Sequence, residues 1–476
     1  MDISRRRFVL TSLATPLAAS AAAMAAGTLA TPRRTRPWSV EKLRVAKVGV
    51  GGMGSADLTE VSSHKMVEIV ALCDIDQRQL DAWRLASKDK DGKTKEPRFP
   101  NVPQFRDWRE MFAKMGDKFD AVVVSVADHM HAPIAMTALN ANKHVYCQKP
   151  LAHSAYENRQ LAKIATSKPQ LVTQMGTQRM ARKWRRQGYA MLRDNLIGPV
   201  KEMHAWTDRP AGWWPQGKPR PAGSDPIPDY LSWDLFLGTA PERPYKDGYT
   251  PFNWRGTYDW GCGAFGDMAC HIVDMPFYAL ELTYPTSVRC ECTDATDDEY
   301  PTAETVTMKY PATPRTAKDG LTLVWYDGGR QPDYKALGLP EDFAGRNKDG
   351  SLGKPPSDGG VILVGEKGVM YFPIEGATPT VFADGKKVNV KVEDQATTNH
   401  WHDWVDGVLA GKPDSLLAPF KRGGLMCESL SLGAVSSLEP GKTLNYDAAK
   451  CTFTNSEKAA LWCHKPYRTG WAVENL

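Results

Sequence analysis

Residues Gly49-Val50-Gly51-Gly52-Met53-Gly54 constrain this 476-residue chain more than any other stretch. A lone Gly-x-Gly-x-x-Gly is a weak signal, so its surroundings decide. The apolar run 43–48 before it suits a buried strand, 53–61 after it reads as a helix, and a second apolar run from 67 ends on Asp74. Strand, glycine turn, helix, strand and acid form the order of a dinucleotide-binding βαβ unit. Gly49 permits the tight turn. Gly51, with Gly52 and Met53 beside it, brings backbone close to a pyrophosphate, and Gly54 lets the helix close on the strand. The helix start adds unpaired N–H groups and a positive dipole end. Asp74 suits ribose hydroxyls and repels a 2′-phosphate, which favours NAD. Arg78, four residues on, keeps NADP as the less favoured alternative.

The same texture continues to about residue 175. Apolar runs at 120–126, 144–147 and 171–175 alternate with helical stretches at 133–141 and 155–167. That alternation predicts a parallel, doubly wound α/β sheet. Beyond residue 200 the pattern becomes strand-rich, with runs at 200–209, 287–292, 304–309, 321–325, 360–365 and 369–372. One helix over 268–280 interrupts them, and helices return at 399–409, 423–438 and 456–463. The expected architecture is a Rossmann dinucleotide-binding domain at 37–170 and an α+β substrate-binding domain at 171–476, built on a large open, mainly antiparallel sheet.

Residues 1–36 read as a targeting segment. Ser4-Arg5-Arg6-Arg7-Phe8-Val9 is a twin-arginine start, followed by a weakly apolar, alanine-rich run and small residues at Ala23-Met24-Ala25. This predicts export through the twin-arginine machinery to the periplasm or beyond, and a mature form without a stable membrane span. Six arginines against one acid in these residues account for the whole net charge of +5. The remainder is balanced, which argues against a nucleic-acid partner. Nine scattered cysteines lack a disulfide framework, and Cys290 and Cys292 fall on one face of a strand. His129-x-His131 and His400-x-His402-Asp403 are the nearest approaches to metal ligands, and no metal is expected.

A longer resemblance begins at Val122-Val123-Val124-Ser125-Val126-Ala127-Asp128-His129-Met130-His131 and at His144-Val145-Tyr146-Cys147-Gln148-Lys149-Pro150. It runs on through Gln174-Met175-Gly176, Trp254-Arg255-Gly256, Gly263-Ala264-Phe265-Gly266-Asp267-Met268-Ala269-Cys270-His271 and Gly365-Glu366-Lys367-Gly368. In these segments the chain resembles the Gfo/Idh/MocA oxidoreductases, the glucose–fructose oxidoreductase and inositol dehydrogenase family, in its exported branch. The resemblance implies homo-oligomers and a cofactor site that includes Asp128, His131, Gln148 and Lys149. Two departures stand out. Val126-Ala127 replaces the family's Thr-Pro, and Gln148 replaces its Glu. Losing that carboxylate removes an anionic neighbour from Lys149 and predicts a freer base there.

Hydride transfer from a secondary alcohol needs a nicotinamide, a held carbinol and a base. Lys149 resembles the family's lysine at a strand end. Asp267 and His271, four apart, share one face of a helix. His271 reads as the proton relay or base, and Asp267 as a partner for a sugar hydroxyl or as the N-cap of the helix after it. The aromatic loop 206–214, with His204, Asp208 and Arg209, and Arg255 further on, supplies a candidate surface for a pyranose, unless its tryptophans only anchor the loop. The expected activity is NAD-dependent oxidation of a carbohydrate or polyol with a tightly held cofactor. The alternative is an NAD-dependent glycosidase working by transient ring oxidation, elimination, hydration and re-reduction. A vestigial sugar-binding protein is a third reading.

Overall fold

The computed structural model describes residues 42–88, 90–355 and 357–476, so the twin-arginine segment lies outside the described residues. β1 (Leu43–Val48) leads through the glycine turn into α1 (Met53–Ser63) and β2 (Val67–Cys73). α2 (Gln77–Arg84), a short ribbon of β3 (Ser87–Lys88) and β4 (Thr94–Lys95), β5 (Gln104–Phe105) and α3 (Trp108–Met115) follow. β6 (Ala121–Val124), α4 (His131–Asn140), β7 (His144–Cys147), α5 (Ala155–Ser167) and β8 (Thr173–Met175) complete the first sheet. Its strands run in the order β5-β2-β1-β6-β7-β8, every pair parallel. Both faces of the central strands are buried, which is why they read as unbroken apolar runs. The order reverses between β1 and β6, so the glycine turn and Ser125 open together at the carboxyl ends of the strands, where such sheets bind ligands. β8 lies past residue 170, the division between domains expected from the sequence.

α6 (Lys183–Arg193) leads to β9 (Val200–Trp206), α7 (Trp233–Leu237), α8 (Gly263–Ile272) and α9 (Asp274–Ala279). The single helix expected over 268–280 is therefore two. The first starts at Gly263, whose φ of 63° lies in the left-handed region, and the helix bends at Val273. There the Asp274 carboxylate is drawn into a fully buried ion pair with Arg185. Asp267 lies inside α8, which rules out its N-cap role.

The second sheet takes in β10 (Ser287–Cys292), β11 (Glu304–Tyr310), β12 (Leu321–Tyr326), β13 (Gly360–Gly365), β14 (Val369–Pro373), β15 (Thr380–Ala383) and β16 (Lys386–Val388). After α10 (His400–Ala410) and α11 (Phe420–Val435) come β17 (Thr443–Asp447), β18 (Thr452–Phe453) and α12 (Glu457–Cys463). The ten strands run β16-β15-β14-β13-β9-β12-β11-β10-β17-β18, antiparallel except for β9 with β12. Alternation splits its two faces. Met203, Ala205, Val361, Leu363, Met370 and Phe372 join the main core with α8 and α11. Trp206, Ile362, Val369 and Tyr371 face the other way, under Tyr334, Leu337 and Phe343 of the 327–359 segment. All nine cysteines are free, and no metal-holding cluster exists among the described residues.

Candidate active site

The glycine turn is built by close backbone approach. A Cβ on Gly49 would stand 1.9 Å from the Ser125 carbonyl oxygen, and one on Gly54 would stand 2.2 Å from that of Gly49. Only glycine satisfies both positions. A Cβ on Gly51 would meet the end of the Gln79 side chain, whereas one on Gly52, the N-cap of α1, would enter open space. No side chain caps α1 and its first turn holds no acid, so nothing of this chain's own competes with an anion at the helix start. Met53 stands exposed beside it. The Asp74 carboxylate accepts from Val50 N at 2.8 Å and Asp76 N at 3.0 Å, which ties the turn to the loop after β2 and leaves lone pairs for a further donor. These features fit a dinucleotide: a cradle that Cβ atoms would fill, an uncapped helix start and an anchored acid.

Arg78 does not stand free to meet a 2′-phosphate. It forks onto Asp76 at 2.7 and 3.0 Å, and its guanidinium lies 3.5 Å over the Tyr230 ring.

Beneath the turn lies a network that sequence reasoning missed. Lys47, 1% exposed, donates to the carbonyls of Val48 and Gly49 and to Ser125 Oγ. Burial lowers its pKa to about 8 even with Asp57 and Asp74 nearby. Ser125, Gln148 and Trp401 all donate to the buried Asp57 carboxylate. The available signal was Lys47 among Val45, Ala46 and Val48, in the stretch of the strand that leads into the glycine turn. Trp401, more than three hundred residues from Asp57, left none.

Gln148 therefore lies under the turn, its amide donating to Asp57 while its Oε1 accepts from the Lys149 backbone N–H at 3.2 Å. His131 is likewise committed to structure. Its Nδ1 lies 2.7 Å from the Pro150 carbonyl and its Nε2 3.1 Å from that of Val126, and burial holds it at about 4. Asp128, at the start of the next helical turn, is buried and pushed up to about 7, against the pull of Arg255 and Lys149.

Lys149, at the end of β7, meets α8 directly. Its Nζ donates to Asp267 Oδ1 and to the Asp267 carbonyl, both at 2.8 Å. Arg209 holds Asp267 Oδ2 at 2.6 Å, and Arg255 Nε lies 3.6 Å from Oδ1. Burial opposes ionisation of Asp267, but Lys149, Arg255 and Arg209 outweigh it and hold the carboxyl well below its ordinary range. Gln148 is thus not the only group that decides the charge beside Lys149: Asp267, across from it on α8, gives the amine a carboxylate partner. His271 lies one turn along α8, and its Nδ1 is buried without a hydrogen-bond partner among the described residues. Burial, then Lys149 and Arg179, push the imidazole well below its ordinary value, so it is neutral rather than poised near pH 6.5.

The other candidates divide. Arg209 and Arg255 join the cluster. His204 does not: it pairs with Tyr326 and Glu202 on the face of the second sheet turned away from α8. Asp208 makes no hydrogen bond to the cluster among the described residues, and its Oδ1 is buried without a partner. Trp206 faces the same way as His204, whereas Trp213 is half exposed and lies under the Arg209 guanidinium at 3.8 Å.

A glycine-cradled parallel sheet whose carboxyl edge meets a lysine–carboxylate–histidine cluster defines a nucleotide-dependent oxidoreductase of two-domain type. Residues 43–176 match the model of the oxidoreductase family with an NAD-binding Rossmann fold, and residues 212–331 match the model of its C-terminal alpha/beta domain. The chain belongs to the Gfo/Idh/MocA oxidoreductase family. An inositol 2-dehydrogenase of Salmonella typhimurium is 30% identical over 161 residues, 33% of this chain and 41% of that protein. A glycosyl hydrolase family 109 protein of Stenotrophomonas maltophilia is 32% identical over 136 residues, 28% of either chain. The chain thus spans less than half the length of these curated relatives. In fold, it is similar to the WlbA dehydrogenase of Bordetella pertussis, solved with NADH and UDP-GlcNAcA, with a TM-score of 0.54 at 16% identity, covering 86% of this chain and 99% of that one.

Proposed function

We propose that this protein oxidises a secondary alcohol of a sugar or polyol, using an NAD that stays bound between turnovers. The observation that carries the reading is the convergence of Lys149, Asp267, Arg209 and His271 at the carboxyl edge of the NAD-binding sheet. When bound, NAD supplies the hydride acceptor. The glycine turn, the start of α1 and Asp74 would hold it. Asp267, kept ionised, fixes Lys149 Nζ on one carboxylate oxygen and the Arg209 guanidinium on the other. Lys149 Nζ orients the substrate oxygen. His271, kept neutral, offers its unpaired ring nitrogen to the hydroxyl proton.

The test uses the full chain as purified, without added cofactor, against a panel of sugars and polyols. NADH absorbance rises with at least one of them, and Lys149→Ala and His271→Ala each lower kcat by about 10²–10⁴. Because burial depresses the His271 pKa, the acidic limb of kcat/KM falls well below pH 6.5. A limb at or above 6.5, or turnover unchanged in both variants, rejects these roles.

A second reading is a glycosidase that oxidises its substrate only transiently. Likeness to the family 109 protein favours it. Release of nitrophenol from a glycoside with no lasting NADH would select it over net oxidation.

A further inference from the structure

The floor of the site holds more positive charge than its acids neutralise. One carboxylate, Asp267, faces Lys149, Arg209 and Arg255. The three side chains are only 15%, 18% and 19% exposed, so water screens them weakly. Asp128, the other acid beside Lys149 and Arg255, is buried and sits near 7, so it contributes a fraction of a charge at neutral pH. Arg179 is spoken for by Glu375 at 2.6 Å, and His271 is neutral. Three cations face Asp267, so the excess is two charges, and Asp128 offsets only part of it. An oxidised nicotinamide only adds to the excess. A buried charge without a partner is costly, and the surplus lowers that cost only when an anion arrives.

The guanidiniums are also held beside apolar rings. Arg209 lies 3.8 Å over Trp213, and Arg255 lies 4.2 Å over Phe252 and 4.3 Å over Trp254. Trp213 is 50% exposed and Phe252 40%, large apolar faces left open to solvent next to fixed charges. Ring C–H faces pack on such aromatics, while guanidiniums take carboxylates by paired, charge-assisted bonds.

We propose that the substrate is a sugar acid, whose carboxylate is bound by Arg209 and Arg255 while its ring packs against Trp213 and Phe252. The proposal rests on the oxidoreductase reading above and adds the charge and form of the substrate. The test compares matched pairs with the purified, cofactor-bearing protein: glucose with glucuronate, galactose with galacturonate, and nitrophenyl glucoside with nitrophenyl glucuronide. Glucose 6-phosphate is the control for a different anion. Binding is read from tryptophan fluorescence, turnover from NADH or nitrophenol.

The acid of a pair binds, and is turned over, at least about 100-fold better than its neutral partner. The preference weakens as salt is raised and falls below about tenfold in Arg255→Gln. Equal use of both members, a preference for the phosphate, no binding of either acid, or a preference untouched in Arg255→Gln and Arg209→Gln overturns the proposal. Failure of the underlying reading looks different. Tight binding of the acids with neither NADH nor nitrophenol from any compound would remove the oxidoreductase assignment and leave the anion site standing.

Discussion

Gln148, one of the two departures from the Gfo/Idh/MocA pattern, is partnered by Asp57. The Gln148 amide donates to both oxygens of Asp57, at 2.9 and 3.0 Å, in a pocket where that carboxylate is fully buried. Gly176 makes room for it, since a Cβ there would stand 2.7 Å from the amide. A glutamate would replace two donors with a second carboxylate and set like charges together away from water. Gln148→Glu is therefore expected to lower stability by about 2–4 kcal/mol, read from urea unfolding. Asp57→Asn in the same chain restores a donor–acceptor pair and recovers most of the loss. Additive losses in the double variant would show that the two residues are not coupled. The sequence made Gln148 visible as a departure but pointed to the wrong neighbour. Asp57 lies 91 residues away and Asp267 lies 118 residues from Lys149, so neither pairing leaves a local trace.

At the scale of elements, what periodicity and caps encode was legible, and what backbone pairing between distant segments encodes was not. α5 begins and ends where its pattern does, because Ser154 and Glu157 form a capping box ahead of the apolar stripe. The break between α8 and α9 falls after Ile272, four residues before Pro276, which has no N–H for the Ile272 carbonyl, and Arg185 binds that carbonyl and Asp274 instead. The strap formed by residues 230–232 has no periodic signature. Leu231 bridges Asp76, Gln77 N donates to the Tyr230 carbonyl at 2.9 Å, Ser232 N donates to the Ile75 carbonyl at 3.0 Å, and Arg106 binds both carbonyls. The strap thus clamps the loop that follows Asp74, on the ribose side of the cradle, and its ring occupies Arg78. Tyr230→Ala removes the cation–π contact to the half-exposed Arg78, about 0.5–1 kcal/mol, while sparing the backbone bonds. Bound NAD is then expected to dissociate about 2- to 5-fold faster, followed by the loss of nicotinamide on dilution into an NAD scavenger. An unchanged rate would mean that the strap does not govern retention.

At the scale of the whole molecule, a helix from the second half of the chain braces the first helix of the Rossmann unit. α10 reaches back onto α1: Trp401 donates to Asp57, Asn399 donates to Glu60, His402 lies 2.9 Å from Ser63 Oγ, and His64 pairs with Asp406. α11 packs between α5 and α8, so it joins the two sheets. The helix that follows the glycine turn is thus braced by residues as far as 344 positions further along the chain, so that brace exists only once α10 has folded onto α1. Such a protein suits a route that carries folded cargo, and we propose that Arg5 and Arg6 direct it there with NAD already bound. The expected outcome is specific. Wild-type protein recovered from outside the cytoplasm contains nicotinamide in stoichiometric amount. The paired change Arg5→Lys, Arg6→Lys leaves the protein in the cytoplasmic fraction, with the same nicotinamide content and the same activity. Secretion of that variant would remove the export reading. Exported wild-type protein free of nicotinamide would leave the address standing and remove the loading step, and the enzyme would then need a cofactor supply at its destination.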